Sequence, residues 1–491
     1  MKPFSILHIS DLHRSPRDPI SNDELISALV SDRDRYTRED PPIPAPEAII
    51  LSGDIIQGVP LGTNDFAKEI ANQYAAAEEF LDELVRRFLD GDRSRLVMVP
   101  GNHDIDWNTA LSALAPVDEK DIPPRLGATL HSESSDYRWD WNSRTLYLIA
   151  DPALYERRLE AFWQFFAKFY EGVPGLLDVK AGADACLFSL CDDRIGVAAY
   201  NSCHGNDCFA FHGMIRKETV ARSHLDLDDC GKIFDLRMAV WHHSIDGPPY
   251  RTDYMDVDIV RGMIGRGFRL GLYGHQHKTQ VAPHEVWLPD RERMAVISAG
   301  SLCAGASELP TGVHRQYNVL EIAGDFKRVR IHVRAMIVAN LFSRGRFIDF
   351  GDASYADLDW TPPRNAVGKV IDTQAQRLRT LIDQAEAAAK TGRPEEAMSI
   401  LDKVALPKGS YQRQLYLTAA TDAKAWNAVV KVTDPPATID ELVQRFEAFS
   451  RLDDHGGAVD ALDQFAEELQ LPEPILTELR GRASAQEAIK K

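Results

Sequence analysis

The sequence lacks the features of a membrane-spanning, secreted or disulfide-bonded protein. No apolar run in its 491 residues approaches the ~18–20 residues needed to cross a bilayer. The N-terminal apolar stretch is too short for a signal peptide, because polar Ser10 and Asp11 follow it at once. The six cysteines include no Cys-x-x-Cys pair, which argues against a zinc ribbon or a thioredoxin-like site. We therefore expect reduced thiols in a cytoplasmic protein with no membrane partner; a disulfide between two of the cysteines is the alternative.

The chain is also poor in positive charge. It contains 56 Lys and Arg against 74 Asp and Glu, which gives a formal net charge of −18. Proteins that coat nucleic acid bind phosphates through dense Lys and Arg, so this balance argues against such a protein. It does not exclude an enzyme that cuts nucleic acid at a cation-filled site, because some of the acids can be metal ligands. An apolar content of 44% indicates a globular protein rather than a disordered chain or a fibre.

Residues 1–300 repeat one pattern, in which a short apolar run ends in small or polar residues and a helical stretch such as 65–88 follows. Short runs of Val, Ile, Leu and Met bounded by turn residues are typical of buried strands. The pattern predicts a layered α/β fold with polar side chains just past several strand ends, where sites in α/β folds form. The predicted strands are Phe4–Ile9, Ala48–Leu51, 96–99, Ile195–Tyr200, 238–241 and 270–273.

The pattern changes near the stretch 351–365, which contains Trp360-Thr361-Pro362-Pro363 and is predicted to be a linker. It separates a domain at 1–350 from an all-α domain at 366–491, where no strand is predicted. Within the helical domain, 385–401 and 454–462 share a glycine-turn spacing that resembles a degenerate tetratricopeptide-like repeat. This domain is a candidate surface for a protein partner. The aromatic-rich stretch 155–170 is predicted to be a helix packed on the sheet, with a substrate-covering cap as the alternative.

Five clusters of metal-ligand side chains directly follow predicted strands. Each cluster alone is weak evidence, since Asp11 could cap a helix and Gly53-Asp54 could form a turn. Together they bring carboxylates, an amide and imidazoles to one edge of one sheet, and no basic residue lies inside any of them. The clusters are Asp11-x-His13, Gly53-Asp54, Gly101-Asn102-His103-Asp104, His242-His243 and Gly274-His275-Gln276-His277.

This set of donors suits a dinuclear metal site. Two divalent cations ~3.5–4 Å apart require a bridging carboxylate to offset their repulsion and terminal ligands to complete each shell. Imidazole combined with carboxylate suits Mn, Fe, Zn, Co or Ni rather than Ca or Mg, and we favour Mn. A hydroxide held between two such metals is a nucleophile near neutral pH, while the metals neutralise charge on the attacked phosphoryl oxygens. The donor set therefore predicts two divalent metal ions that could activate water for attack on a phosphoryl group.

The five clusters, in this order, resemble the signature of the calcineurin-like metallophosphoesterase superfamily: D-x-H, G-D, G-N-H-[D/E], H and G-H-x-H. The resemblance covers about residues 1–340. It implies a layered β-sandwich flanked by helices, and a metal-dependent phosphoric ester hydrolase. The ligands that it implies are Asp11, His13 and His277 for one metal, Asn102, His242 and His275 for the other, and Asp54 as the bridge.

The resemblance also implies two catalytic roles. His103 would stabilise the phosphorane or protonate the leaving oxygen, and Asp104 would hold His103 through a hydrogen bond. The fourth cluster departs from the usual His-x-Pro, because Ser244 follows His242-His243. The family register assigns the ligand to His242. His243 stays open as an alternative ligand or as a substrate contact.

Two further residues are candidates for substrate binding. Asn201 follows a predicted strand and resembles a frequent family position near the site, with a turn-capping role as the alternative. Arg14 lies one residue past the first cluster, and its alternative is an exposed surface arginine. His204 and His212 could reach the substrate, although solvated or core histidines are the more common reading of such positions.

The leading functional hypothesis is a dinuclear-metal phosphoesterase that hydrolyses a phosphodiester or a phosphomonoester. The site has no nearby Arg pair to grip a phosphomonoester dianion, which favours diesters slightly. One alternative is a DNA or RNA nuclease of the repair-nuclease type that acts with a partner, for which arginines in 14–40 could form a basic groove; nucleic acid is not favoured. Another is a partner-recruiting module dominated by 366–491. A pseudo-enzyme is disfavoured, because none of the seven ligand positions is replaced.

Overall fold

The computed structural model describes residues 2–18, 20–123, 126, 130, 135–245, 253–286, 292–305, 309–310, 313–338, 340–346, 353–360, 373–469 and 471–490. The chain divides into two compact units, Met1–Arg364 and Asn365–Lys491. None of the helices in the described ranges combines the length and apolar character needed to span a bilayer. All six cysteines fall within these ranges, and each is a free thiol.

The first unit alternates strands and helices along most of its length. Its strands are β1 (Phe4–Ile9), β2 (Ala48–Leu51), β3 (Leu96–Met98), β4 (Leu114–Pro116), β5 (Tyr137–Asp140), β6 (Thr145–Ile149), β7 (Ala185–Leu190), β8 (Ile195–Tyr200), β9 (Leu236–Val240), β10 (Phe268–Tyr273), β11 (Gln280–Val286), β12 (Glu292–Ser298), β13 (Gln316–Ile322), β14 (Arg328–Val338), β15 (Leu341–Arg344) and β16 (Tyr355–Asp359). Its helices are α1 (Asn22–Arg33), α2 (Phe66–Phe88), α3 (Trp107–Ser112), α4 (Pro152–Glu156), α5 (Glu160–Phe169), α6 (Lys217–Asp229) and α7 (Val257–Ile264).

Two large sheets form the body of this unit. The first has the order β15-β14-β13-β1-β2-β3, with β16 also paired to β14, and the second has the order β11-β12-β10-β9-β8-β7. Strands β1, β2 and β3 run parallel to one another, as do β8, β9, β10 and β12. Because parallel strands end at the same edge of a sheet, both sheets present several carboxyl ends together.

The two sheets share one hydrophobic core. Side chains of the second sheet alternate between its faces, so that Val197 and Met238 join the core that contains β1 and β2, whereas Ala198 and Trp241 lie in a separate cluster with α6 and α7. Burial on both faces explains why these strands are nearly continuous apolar runs. The predicted layered β-sandwich flanked by helices is therefore confirmed.

Helix α5 accounts for the aromatic-rich stretch of the sequence. Its four phenylalanines are buried in the shared core, and the ring of Phe165 stacks on that of Tyr74 in α2 at 5.1 Å between centroids. The prediction of a helix packed within the core is correct for 160–169. A small three-stranded sheet, in the order β4-β6-β5, lies between β3 and α5 in the sequence.

The stretch predicted to be a linker contributes a strand to the first unit. Strand β16 pairs antiparallel with β14, with Ala356 opposite Ile331, and the unit extends to Arg364. Ala356 is buried, whereas Tyr355 is partly exposed. A short strand with one buried face and a polar outer face carries a weak sequence signal, and the neighbouring Pro362-Pro363 obscured it.

The second unit is helical throughout its described residues, which confirms an all-α C-terminal region. Two apolar clusters organise it, one centred on Leu401 and Leu417 and the other on Leu442 and Leu462. The helices are α8 (Thr373–Lys390), α9 (Pro394–Leu401), α10 (Tyr411–Asp422), α11 (Trp426–Val432), α12 (Ile439–Arg451), α13 (His455–Phe465) and α14 (Glu473–Lys490).

A buried ion pair ties α1 to β14. Arg334 donates to both carboxylate oxygens of Asp32 at 2.8 and 2.6 Å, and Tyr317 donates to the same carboxylate at 2.5 Å. Both charged side chains are almost fully buried. By contrast, the ion pair between Arg330 and Asp357 on β14 and β16 is half exposed.

We expect Asp32→Ala to lower the free energy of unfolding by about 3–5 kcal/mol, because it leaves the Arg334 guanidinium buried without its main partner. The control Asp357→Ala should cost less than about 1 kcal/mol, since an exposed ion pair contributes little. Urea unfolding of the full chain, followed by tryptophan fluorescence, measures both. Equal losses of unfolding free energy in the two variants would contradict a larger contribution of the buried ion pair to stability.

Candidate metal centre

Most of the predicted ligands lie in the loops that directly follow parallel strands and have a left-handed backbone. The φ angles are 49° at Asp11, 46° at His13, 54° at Asp54, 74° at His275 and 55° at His277. A residue with a Cβ in this region costs of order 1–2 kcal/mol. Such strained positions persist only where the surroundings fix them, and they concentrate at functional sites. Here Asp11 and His13 donate backbone N–H groups to Gly53 and Asp54 carbonyls at 3.1 and 2.9 Å.

One group of predicted ligands forms a tight cluster. Ligand atoms of Asp11, His13, Asp54 and His277 all lie within 4.8 Å of one another. His277 Nε2 lies 3.2 Å from His13 Nε2 and 3.2 Å from Asp11 Oδ1. Asp11, His13 and Asp54 are buried, and His277 is only partly exposed. The structure thus gathers a two-carboxylate, two-imidazole donor set.

A second group lies on the other side of Asp54. Asn102 Oδ1 is 2.9 Å from both His242 Nε2 and His275 Nδ1, and these two nitrogens are 3.4 Å apart. Asp54 Oδ2 is 3.2 Å from His242 Nε2 and 3.8 Å from His13 Nε2. The Asp54 carboxylate therefore faces both groups.

The spacing of these atoms fits a shared cation. Nitrogen and oxygen ligands at ~2.0–2.2 Å from one metal are separated by ~3.0 Å in an octahedral shell and by ~3.4 Å in a tetrahedral one. The separations within the second group are 2.9–3.4 Å. In the first group, two imidazole Nε2 atoms face each other at 3.2 Å, an arrangement that a cation between their lone pairs would stabilise. The residues present fit divalent metal ions.

A backbone carbonyl fixes the orientation of His242. Its Nδ1 donates to the carbonyl of Ser52 at 2.8 Å, so Nε2 is the nitrogen that faces Asp54 and Asn102. Burial lowers the pKa of His242, but the charge and hydrogen bond of Asp54, the charge of Asp11 and the hydrogen bond to Ser52 together outweigh it and raise that pKa to about 9. Burial likewise opposes ionisation of Asp54, yet the nearby His242 and His103 hold its pKa well below the usual range. The centre is therefore anionic at Asp54, as a metal bridge requires.

His243 has both ring nitrogens committed elsewhere. Its Nδ1 lies 2.9 Å from Ser202 Oγ, and Asn206 donates to its Nε2 at 3.0 Å. Burial, followed by the neighbouring His275 and His242, lowers the pKa of His243 well below its usual value. A neutral, doubly hydrogen-bonded imidazole has no free donor for a metal or substrate. The alternatives that made His243 a ligand or a substrate contact are thus not supported, and the residue positions the loop after β9.

His103 and Asp104 differ from their expected arrangement. His103 Nδ1 donates to the carbonyl of Gln57 at 2.6 Å, and its backbone N–H donates to Asp54 Oδ1 at 2.8 Å. Asp104 instead accepts from the backbone of Gly101 at 2.8 Å and from the hydroxyl of Tyr74 at 3.0 Å. The expectation that Asp104 holds the His103 ring is wrong, because the Gln57 carbonyl occupies that position.

Asp104 forms hydrogen bonds with the loop backbone rather than with the His103 imidazole. Its second backbone donor is Ile55 at 3.2 Å, so one carboxylate joins the loops after β2 and β3. Burial, followed by the charge of Asp54, raises the pKa of Asp104 to about 7. The carboxylate stabilises the turn that presents Asn102 and His103.

Asn201 and Arg14, the two further candidates for substrate binding, are both hydrogen-bonded to other groups of the protein. Asn201 Oδ1 accepts the backbone N–H of Cys203 at 2.9 Å, which is the turn-capping alternative. Arg14 is buried, donates to the carbonyl of Ile20 at 3.2 Å and pairs with Asp18 at 3.1 Å. The alternative of an exposed Arg14 is wrong, and its expected substrate contact is not supported. His204 pairs with the side chain of Arg216.

Several residues that shape the centre carry little sequence signal. Ser52 and Gln57 act through main-chain carbonyls, which every residue type has. Tyr74 comes from the middle of α2, 30 positions from Asp104, and Asn206 comes from a loop with no motif. Only Ser52 could have been suspected, since it directly precedes Gly53-Asp54.

The chain resembles several solved structures, each at low sequence identity. Among solved structures, a protein described as a 5′-nucleotidase from Staphylococcus aureus is 14% identical, with 78% of this chain and 58% of that chain covered and a TM-score of 0.31. The phosphoesterase YfkN from Bacillus subtilis is 10% identical, with 73% and 91% covered and a TM-score of 0.28. Vps29 from Chaetomium thermophilum is 9% identical, with 73% and 100% covered and a TM-score of 0.26. No curated protein matches the chain.

The family match covers more than half of the chain. A family model described as calcineurin-like phosphoesterase matches residues 4–279. The matched segment extends from the first strand, through the first four ligand clusters, to the loop that holds His275 and His277. The chain therefore belongs to the calcineurin-like phosphoesterase family, whose members are metal-dependent phosphoric ester hydrolases.

Proposed function

We propose that this chain hydrolyses a phosphodiester or a phosphomonoester with two divalent metal ions held side by side. The observation that carries the proposal is the position of Asp54 Oδ2, which is 3.8 Å from His13 Nε2 and 3.2 Å from His242 Nε2. One carboxylate that faces two separate ligand groups is suited to bridge two cations and to offset their mutual repulsion. Imidazole and carboxylate together suit Mn, Fe, Zn, Co or Ni, of which we favour Mn.

The proposed ligands divide into two shells that share Asp54. When bound, the metal pair would activate water as the nucleophile and would neutralise charge on the phosphoryl oxygens. The ligands are Asp11, His13 and His277 for one ion, and Asn102, His242 and His275 for the other.

His103 is proposed to protonate the leaving oxygen. The Gln57 carbonyl accepts from its Nδ1 at 2.6 Å, so Nε2 is the nitrogen that can exchange a proton with substrate. The backbone hydrogen bond from His103 to Asp54 fixes its position relative to the metal bridge. General acid catalysis of this kind contributes roughly 10²–10⁴-fold to the rate.

The charges near the centre favour a small phosphodiester over nucleic acid. Arg14, the arginine closest in sequence to a ligand, is tied to Ile20 and Asp18 and is not placed to grip a dianion. Neighbouring arginines that could have formed a basic groove are also paired with carboxylates. These pairs are Arg17 with Glu69, Arg33 with Asp34 and Arg35 with Asp32.

Measurements of metal content and turnover should distinguish the bridging role of Asp54 from the proton-donating role of His103. We expect Asp54→Asn to bind less than one metal per chain and to lose measurable hydrolysis of bis(p-nitrophenyl) phosphate, because the bridge is gone. His103→Ala should keep two metals per chain and lose about 10²–10⁴-fold in kcat. Elemental analysis after reconstitution and steady-state kinetics with Mn, Zn or Co measure both.

A matched control is available in α6. His224 pairs with Asp228 and Arg237 on the surface, so His224→Ala should keep both metals and full turnover. Wild-type protein that binds no metal would refute the centre. Full activity in either Asp54→Asn or His103→Ala would refute the assigned role of that residue.

A glycine allows the Asp54 loop to approach the Asn102 loop. A Cβ at Gly101 would lie 2.1 Å from Asp54 Oδ1, which is far inside van der Waals contact. We expect Gly101→Ala to displace the carboxylate and to weaken metal binding at least tenfold, as measured by isothermal titration with Mn. The control Gly262→Ala, in helix α7, meets only Arg266 at 3.4 Å and should bind metal as the wild type does. Unchanged binding in Gly101→Ala would contradict the proposed bridge.

A second candidate role, partner recruitment, belongs to the helical unit. The division of the chain at Arg364 predicts that a protein ending there keeps the kcat/KM of the full chain for bis(p-nitrophenyl) phosphate within about twofold. A truncated protein that is soluble but inactive would show that the helical unit takes part in catalysis. Loss of soluble protein would show that it completes the core of the first unit.

A further inference from the structure

We infer that the leaving group of the substrate carries a flat ring, which packs on an aromatic ledge formed by Trp107 and Phe211. The inference rests on the proposed function and narrows it to phosphoesters of a ring-bearing alcohol, such as a phenol or a nucleoside. Neither residue belongs to a ligand cluster.

A chain of ring contacts links the ledge to the metal centre. The ring of His103 lies 4.5 Å from that of His13, a proposed ligand, and 6.5 Å from that of Trp107. Trp107 in turn lies 6.3 Å from Phe211 in an edge-to-face arrangement. Because His103 is proposed to protonate the leaving oxygen, the group attached to that oxygen must sit beside His103. Among the described residues, Trp107 is the aromatic ring other than His13 that contacts the ring of His103.

Phe211 is exposed on a loop that is otherwise well packed. Its relative exposure is 43%, whereas the other residues of 201–215 are buried or half-buried. The exposed part of the ring leaves apolar surface that a ligand can cover.

The loop that carries Phe211 is held rigidly in place. Asp207 accepts the backbone N–H groups of Phe209 and Ala210 at 2.7 and 2.9 Å, and it is itself buried. Tyr155 donates to the same carboxylate at 2.5 Å, and Arg138 pairs with it. These contacts fix the turn just before Phe211, so little entropy is lost when a ligand packs on the ring.

Trp107 is fixed by its position at the start of α3. The preceding Asp106 caps the helix by accepting from Asn108 and Thr109 at 3.0 and 3.1 Å, and its backbone N–H donates to the carbonyl of Arg158 at 2.8 Å. Both sides of the ledge are thus preorganised. Flat rings gain from stacking and edge contacts on such a surface, whereas compact alkyl groups gain much less.

The test compares substrates that share a methyl phosphate and differ in the leaving group. Methyl p-nitrophenyl phosphate has an aryl leaving group, methyl trifluoroethyl phosphate has an alkyl one, and the methyl ester of adenosine 5′-phosphate has a nucleoside. The wild-type to variant ratio of kcat/KM for each substrate cancels its intrinsic reactivity. All of these assays require the metal-reconstituted full chain.

We expect Phe211→Ala to lower kcat/KM for the aryl ester about three- to tenfold and to change the alkyl ester less than twofold. Phe211→Tyr should restore the aryl value. Trp107→Leu should act in the same direction. Because Trp107 also packs against the core, Phe211→Ala alone tests the ledge if Trp107→Leu does not fold. Trp141→Ala removes an aromatic ring that is 81% exposed on the β5–β6 turn and should change no ratio.

The outcomes distinguish failure of the ledge from failure of the proposed phosphoesterase function. Equal losses for aryl and alkyl esters, or no loss for either, would overturn the ledge while leaving the phosphoesterase intact. A wild-type protein that hydrolyses none of the three esters would overturn the proposed function itself. A loss for the nucleoside ester that matches the aryl loss would identify a nucleobase as the ring, whereas an aryl-only loss would place the ring directly on the leaving oxygen.

Discussion

The buried Asp54 carboxylate is the group on which the rest of the centre depends. An unpaired carboxylate at this depth would cost several kcal/mol in lost hydration. Here Oδ1 accepts the His103 backbone N–H at 2.8 Å, and Oδ2 faces His242 Nε2 at 3.2 Å. These partners belong to two different sheets, because His103 follows β3 and His242 follows β9. The charge of one side chain thus requires both sheets to meet at one edge.

The fold supplies that meeting point through parallel strands and tight backbone contacts. Asp54 lies after β2, and the preceding Ser52 carbonyl accepts from His242 Nδ1 at 2.8 Å, which joins the sheets directly. Close approach also requires glycine, since a Cβ at Gly274 would meet Ser10 Oγ at 1.8 Å. The left-handed backbone at several ligands is held by these contacts. These contacts hold the proposed ligands in position, which reduces the cost of ordering them.

Sequence patterns predict the strands and the ligand loops well, because both follow from local rules. Short apolar runs with polar ends identify buried parallel strands, and donor side chains at those ends must share one edge. The partners of His103 and His243 escaped prediction, since Gln57 contributes a carbonyl and Asn206 sits in a loop without a motif. Arg14 was expected to contact substrate, with an exposed surface position as the alternative, yet a carbonyl and Asp18 allow it to be buried. Contacts between distant segments depend on packing that no local pattern encodes.

The chemistry and the proposed specificity of this protein rest on different parts of the chain. The proposed metal ligands follow parallel strands whose positions are fixed by the shared core. The ledge instead uses Trp107, which begins α3, and Phe211, which lies on a loop fastened by Asp207. Substitutions on the ledge can change which leaving group fits without moving Asp54 or its partners. Under these proposals one reaction can be combined with a variable substrate, because the strand ends would hold the metals and the segments between strands would hold the leaving group.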